Sequence, residues 1–551
     1  MVRKISLNKN ILAFLILTSV ILVVFYKLTQ TFYQQDEWNG MGLVYSEGIK
    51  SVFPETFKPI DILIVKGRFV SSFIFYLFAK FYPLQNLPIA IFALVLHIIA
   101  TMLVFFLIRK YNNNYTAAIL GSSLFALNSV AHGTVTWSVI AISTVGSSIF
   151  IFWSILTFFK FIETSKSKWL LITGLLLYIS LWFKETGIYL FLFFPLVSLF
   201  LKKYKFSPSA MLSYFKQFWM FLLPFLLIVG YRILELRLRT TTSNLYLTGA
   251  DENFFLTLFI RAILYPLTSF SLMYVPGNYF IQFARVVIHD NYPFFADAPN
   301  FLLIAQSVAL DVLALVLTIF IIFLTLLLLR KEEKEKAKIV LFWLAFSLFS
   351  FVPYIVLAKD FSYLESRYYY VPVAGGAVLL AWFLLRLRQI IGKLGFLVFI
   401  VPLSSLFILW HTNTIEAAIE EQVKLSNTRK SLMFQLAEQL PTLSSQKNVF
   451  YITSDKNYWA DTNMLPFQQG SGYTLMVLYY NSGKIPKSFL KDGFLFEIGS
   501  QGYKESDNMG FGFFTDKKEL EKAVTNYNLP PSSILHLQYL WQDNKLVRVG
   551  D

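Results

Sequence analysis

Long, almost uncharged apolar runs recur along the first 410 residues of this chain, and they constrain its fold more than any other feature. A helical residue rises 1.5 Å, so about 20 apolar residues cross a hydrocarbon layer of about 30 Å. Within lipid only a helix or a closed barrel satisfies its own backbone groups. Runs of this kind lie near residues 9–28, 87–108, 115–131, 139–161, 168–183, 187–201, 217–236, 301–329, 339–358, 369–385 and 394–410. They predict a polytopic α-helical membrane protein with about eleven transmembrane helices. Composition agrees: the 551 residues are 56% hydrophobic, 18% aromatic and 15% charged, against about 25% charged in soluble domains.

The opening "MVRKISLNKN" followed by "ILAFLILTSVILVVFYKL" has the charged start of a signal peptide but no small-residue cleavage site. It reads as a retained first span with a cytoplasmic N-terminus. The net charge is +15, yet its Lys and Arg sit between apolar runs. That pattern orients helices and differs from a contiguous basic domain, so nucleic acid is not an expected partner. The run "RFVSSFIFYLFAKFYPL", residues 68–84, is short, holds Lys80 and reaches Pro83; it reads either as a span or as an interfacial helix. Charge decides. With it interfacial, the inside segments 1–10, 109–114, 160–168, 202–216, 330–338 and 386–393 are several-fold denser in Lys and Arg than the outside segments 29–86, 132–138, 184–186, 237–300 and 359–367. That is the asymmetry expected of a multi-pass plasma-membrane protein. The expected layout is a transmembrane domain over 1–410, with a first external loop 29–86 and a large, membrane-hugging external loop 237–300. An extracytoplasmic C-terminal domain follows over 411–551.

That C-terminal stretch changes character and reads as a small α/β domain. "TIEAAIEEQVKLSNTRKSLMFQLAEQL" has apolar residues at helical spacing. "NVFYIT", "FLFEIGS" and "SILHLQYLWQDNKLVRV" read as strands, the last as a hairpin turning at Asp543 and Asn544, with "TDKKELEKAVTNYN" as a helix between them. The chain has no Cys, which excludes disulfides, zinc–thiolate sites and a Cys nucleophile.

Ionisable residues near a membrane interior are costly and are usually functional. On this layout Asp36 and Glu37, Lys66 and Arg68, His132 with Trp137, Lys184 and Glu185, Arg232, Glu235 and Arg237, and Asp360, Glu365 and Arg367 gather at one membrane face. Each also has a plainer reading. Asp36 and Glu37 are then solvated loop acids, Lys184 pairs with its neighbour Glu185, His132 ends a helix, and Arg367 anchors the interface beside its three tyrosines. As a set they suit one chemistry, in which a carboxylate takes a proton from a hydroxyl or amine nucleophile and cations at the same depth stabilise a departing phosphate. Arg supplies bidentate phosphate contacts and Lys a point charge. The five His residues are scattered, and carboxylates alone specify no metal; no cofactor is called for.

Several of these segments resemble the GT-C superfamily of integral-membrane glycosyltransferases, which includes the protein O-mannosyltransferases and the lipid A aminoarabinose transferase. They are "QQDEW" opening the first external loop, "LFALNSVAHGTVTWSVIAIST", "LLLYISLWFKETGIYLFLFFPL" with its K-E-T segment, and "ESRYYYVPVAGG" with an E-R-Y motif entering a late span. The resemblance covers residues 1 to about 410, and it implies transfer of a sugar from a polyprenyl-phosphate donor at the outer face, with inversion. Carried over, Asp36 is the expected base and Glu37 a supporting or acceptor-binding acid. Arg367, Lys184 and Arg68 are expected at the donor phosphate, and His132, Glu185 and Tyr368 in the cavity. The expected partners are the lipid-linked donor, membrane lipids, and a glycan, lipid or protein acceptor. A transporter or flippase of a lipid-linked sugar, using the same acids as a proton relay, is the alternative; transporters commonly carry internal repeats, and none is visible here. A third reading is a sensor or assembly protein whose tail binds partners.

Overall fold

The structure is a computed structural model that describes residues 2–34, 36–202, 208–238, 254–275, 299–357, 364–443, 447–455, 501–506 and 509–550, and also residues 279, 282, 283, 286, 459, 474 and 477–479. Among the described residues, nine helical stretches are long and apolar enough to cross a membrane: Lys9–Gln30, Leu87–Asn112, Ser138–Thr164, Glu185–Lys202, Met211–Leu234, Phe255–Leu272, Val308–Leu329, Lys334–Val356 and the continuous run Tyr370–Gln439. The protein is therefore a polytopic helical membrane protein, and it carries a small sheet near its C-terminus. The runs read as spans at 115–131 and 168–183 form the shorter helices Tyr115–Ala126 and Ser167–Phe183. The runs at 369–385 and 394–410 belong to one helical stretch, broken at Gly392, whose φ of 76° and ψ of 173° are not helical. The ambiguous run is a helix of 13 residues, Phe69–Phe81, about 20 Å long. Phe255–Leu272 has span-like length although it lies in the stretch read as loop 237–300; most of the remainder of that loop lies outside the described residues.

The contacts divide the chain into two compact units. Unit one comprises Met1–Tyr26, Lys58–Ser71 and Phe92–Ala417. Its turns follow from local chemistry. In "YNNN", Asn113 takes the left-handed conformation (φ 42°) that ends helix Leu87–Asn112. Asn114 then caps the next helix by accepting from the Ala117 N–H at 3.1 Å, as short polar side chains do at helix starts. Helices Gly146–Thr164 and Ser167–Phe183 form a tight hairpin turning at Ser165 (φ 55°), clamped by a Thr157–Thr173 hydroxyl pair at 2.9 Å. Stacked rings fill the interior: Phe158 lies on Phe194 at 4.3 Å and Phe159 against Phe342 at 4.7 Å. His97 is a buried tie. Its Nε2–H donates to the Ala126 carbonyl at 3.1 Å, and its Nδ1 accepts from the Tyr370 hydroxyl at 2.7 Å.

Helix Phe254–Leu272 packs within this unit through polar contacts near its middle and just past its C-terminal end. Arg261 Nη1 donates to the Leu357 carbonyl at 2.8 Å. Just past the helix, the Met273 carbonyl accepts from Asn128 Nδ2 at 2.9 Å, and the Tyr274 hydroxyl donates to the Gly376 carbonyl at 3.3 Å.

Unit two comprises Lys27–Phe57, Ser72–Ile91 and Ala418–Asp551. Its five-stranded sheet has the order β2-β3-β1-β4-β5, with β1 Lys447–Ser454, β2 Gly502–Ser506, β3 Met509–Phe514, β4 Ile534–Leu540 and β5 Lys545–Arg548. Strand β1 runs parallel to β3 and β4, while β2 and β5 are antiparallel edges. Alternation puts Val449 and Tyr451 on the face covered by helix Lys517–Tyr527, against Leu520, Ala523 and Leu529. Asp516 caps that helix by accepting from the Glu519 N–H at 3.0 Å. Phe450 points the other way, toward Tyr479 and Phe511. The end of helix Val401–Gln439 covers the β5 edge: Gln435 accepts from the Leu546 N–H at 2.7 Å and donates to the Asn544 carbonyl at 2.9 Å. Strands β1, β4 and β5 and the 517–527 helix match the sequence reading; "FLFEIGS" lies outside the described residues. Strands β2 and β3 were not anticipated, because Gly502, Gly510 and Gly512 lower β-propensity. The structure uses that glycine: a Cβ on Gly512 would collide with the Gly502 carbonyl.

Candidate functional site

A cluster of charge among the described residues of unit one sits where segment 58–71, the Phe183–Gly187 turn and segment 364–368 meet. Segment 58–71 is held by backbone contacts. Arg232 Nη2 donates to the Val65 carbonyl at 2.8 Å, where Val65 is left-handed (φ 52°), and the Ser71 hydroxyl donates to the Phe183 carbonyl at 3.0 Å. This seats Arg68 against Glu185 in a two-pronged contact, Nε to Oε2 at 2.9 Å and Nη2 to Oε1 at 2.6 Å. Both side chains keep nearly half their surface, 44% and 46%, so solvent reaches this ion pair.

Lys184 ends helix Ser167–Phe183 with an extended backbone, φ −162° and ψ 141°. In extended chain, neighbouring side chains point to opposite sides, so Lys184 turns away from Glu185. It is 5% exposed and donates from Nζ to the Thr144 hydroxyl at 2.7 Å. Thr144 lies in a π-helical segment, Ala141–Val145, that interrupts the 138–164 helix; such segments frequently occur at functional sites. Close packing brings the helices together here: a Cβ on Gly146 would lie 2.5 Å from the Phe183 ring.

The third segment is tied in by Gly133, whose N–H donates to the Ser366 hydroxyl at 2.9 Å. A Cβ at Gly133 would lie 2.8 Å from that oxygen, so the approach requires glycine. Arg367 Nε lies 2.7 Å from Glu365 Oε2, though not aligned for a hydrogen bond. The Tyr368 ring stands between cations, with Arg367 5.1 Å and Lys184 5.7 Å from its centre. Trp137 faces Arg367 at 5.8 Å. Burial, reinforced by the charges of Arg68 and Arg367 and opposed by Glu185 and Glu365, brings the Lys184 pKa down to about 7. Arg68 is held firmly charged by Glu185, and burial raises the Tyr368 phenol. The cluster thus holds two carboxylate-paired guanidiniums and one buried ammonium whose pKa lies near neutrality. A phosphate entering it would favour the charged form of Lys184.

His132 lies at the rim of this region. Its Nδ1–H donates to the Ser129 carbonyl at 2.5 Å, and burial lowers its pKa. Lys66 faces Asp61 at 3.9 Å. Asp36 and Glu37 belong to unit two. Asp36 begins helix Asp36–Glu47, and its side chain lies outside the described residues, as do the side chains of Glu235 and Arg237 and all of Asp360. Glu37 is 1% exposed, accepts from the Gln34 N–H at 2.7 Å and acts electrostatically on Arg429, itself buried. Thr144, Ser366 and Ser147, whose hydroxyl donates to the Lys184 carbonyl at 3.2 Å, were missed by sequence reading. For Thr144 and Ser147 the signal is the density of hydroxyls in "AISTVGSS", too common in membrane helices to single out; Ser366 lies beside Arg367 in "ESRYYY". Among the described residues no group of three or more His, Asp or Glu side chains converges to hold a metal ion. No known protein family matches the chain, and no curated protein matches it.

Proposed function

We propose that this protein is a GT-C-type membrane glycosyltransferase, moving a sugar from a polyprenyl-phosphate donor to an acceptor at the extracytoplasmic face. The observation that supports this reading is the convergence of Arg68, Lys184 and Arg367, from three distant segments, around Tyr368. In an inverting displacement the acceptor hydroxyl or amine attacks the anomeric carbon, its proton passes to Asp36, and the bond to the phosphate oxygen breaks with its electron pair left on the phosphate. Charge therefore grows on the phosphate, where preorganised cations stabilise the transition state more than the ground state. Lys184 and the two guanidiniums are the donor-phosphate contacts in this reading.

The layout read from the sequence has four crossings between Lys184 and Arg367, through Glu185–Lys202, Met211–Leu234, Val308–Leu329 and Lys334–Val356, which returns both residues to one face; in this reading Phe255–Leu272, itself span-like in length, is a membrane-hugging helix of the external loop.

The test uses the purified protein in lipid nanodiscs with a labelled polyprenyl-phosphate sugar. Asp36→Asn is expected to abolish transfer while the donor is still retained, and Arg367→Gln to weaken donor retention by about tenfold or more. Turnover that survives in Asp36→Asn removes the base assignment. Movement of the donor across vesicles without bond cleavage replaces the transferase with the flippase.

A further inference from the structure

A second site lies at the other end of helix Tyr370–Gly395, where Arg386 stands 16 residues beyond Tyr370, or about 24 Å along the axis. A cavity of about 150 Å³ opens there, walled by the end of helix Leu87–Asn112, the start of helix Lys334–Phe349 and residues Val378 to Gln389. Among the described residues, five buried polar atoms on its lining have no protein partner: Tyr111 Oη, Asn112 Nδ2, Trp343 Nε1, Trp382 Nε1 and Arg386 Nε. Trp343 and Trp382 are 1% and 8% exposed. Native proteins leave very few such groups unpaired, and five around one cavity is a concentration that calls for a ligand.

The chemistry of the five is one-sided. Two indole N–H groups, an amide NH₂ and a guanidinium N–H are donors only, and the phenol donates as readily as it accepts. Of the acceptors nearby, Gln389 Oε1 takes a hydrogen bond from Arg386 Nη1 at 2.6 Å, and the Glu332 carboxylate, also on the lining, pairs with the same nitrogen at 3.7 Å. Lys336, which pairs with Glu333 at 3.2 Å, also lines the cavity, from the N-terminal turn of its helix, where the backbone dipole favours an anion. A ring of donors with two cations selects a compact group made of acceptor oxygens.

We propose that this cavity binds a phosphate group. Its chemistry is shared by the headgroup of an anionic phospholipid and by free phosphate, and the site owes nothing to the sugar-transfer reading.

The full-length protein, purified and stripped of lipid, is titrated with inorganic phosphate and, separately, reconstituted in phosphatidylcholine vesicles with and without phosphatidic acid, with retained lipid read by native mass spectrometry. Binding of phosphatidic acid alone assigns a lipid phosphate; binding of inorganic phosphate supports the free ion. The Trp343→Phe/Trp382→Phe double variant, which keeps both rings and removes both donors, is expected to lose about tenfold or more in affinity. If that variant does not fold, Trp382→Phe and Arg386→Gln each serve in its place, and Trp382→His, which retains a ring N–H, is expected to keep binding. Failure of the wild type to take up either probe, or undiminished binding by the donor-free variants, overturns the proposal.

Discussion

Lys184 and Glu185 are neighbours in "WFKETG", and the plainer expectation was that they pair with each other. The extended backbone at Lys184 sends them apart, so Glu185 meets Arg68 from 117 positions away while the ammonium goes to Thr144. Sequence could flag all three residues as costly in a membrane; it could not pair them, because the pairing depends on one φ/ψ choice and on where segment 58–71 docks. The Lys184 pKa near 7 makes its role measurable. The ammonium is present below that value and lost above it, so affinity for the phosphate donor is expected to fall as pH rises through about 7, and Lys184→Met is expected to bind weakly with no such dependence. Stability moves the other way. The folded pKa lies below the ordinary 10.5, so between about 7 and 10.5 the unfolded chain holds more protons and stability rises with pH. Chemical unfolding of wild type and Lys184→Met across that window compares the two slopes.

Helices and strands with simple periodicity were legible: β1, the β4–β5 hairpin and the 517–527 helix all follow from alternation, a turn and an Asp cap. Asp516→Ala is expected to cost about 1 kcal/mol and to speed amide exchange in residues 517–527 before the rest of the sheet. The strands built around glycine were not legible, since glycine contributes space there and not propensity. The same holds at Gly133, an ordinary residue in sequence whose missing side chain admits Ser366. Gly133→Val is expected to destabilise by about 1–3 kcal/mol and to weaken donor retention by displacing Arg367; adding Ser366→Gly should recover part of the stability but not the hydrogen bond. The π-helical segment Ala141–Val145 left no trace in hydropathy, because an extra residue in a turn does not alter the apolar count.

For the whole molecule, the membrane class followed from apolar run length, whereas helix Tyr115–Ala126 is shorter than its run 115–131 because the chain turns at Leu127. The absence of cysteine makes topology directly testable by single-cysteine labelling. With an impermeant maleimide added outside intact cells, Asp543→Cys and Glu55→Cys are expected to react, and Asn113→Cys and Glu333→Cys only after permeabilisation; the reverse pattern inverts the proposed orientation. Unit two also joins segments from opposite ends of the sequence. Phe32 lies 6.4 Å from Phe434, Lys27 pairs with Glu420, and Glu37 acts on Arg429. At about 5–20 residues per second, a ribosome needs on the order of 20–80 s to deliver Arg429 after Glu37. For that interval the first loop is out of the ribosome with its carboxylate and aromatic side chains uncovered, so chains cut short by a late stop codon would present an unburied Glu37 and Phe32 to the cell's quality-control proteases.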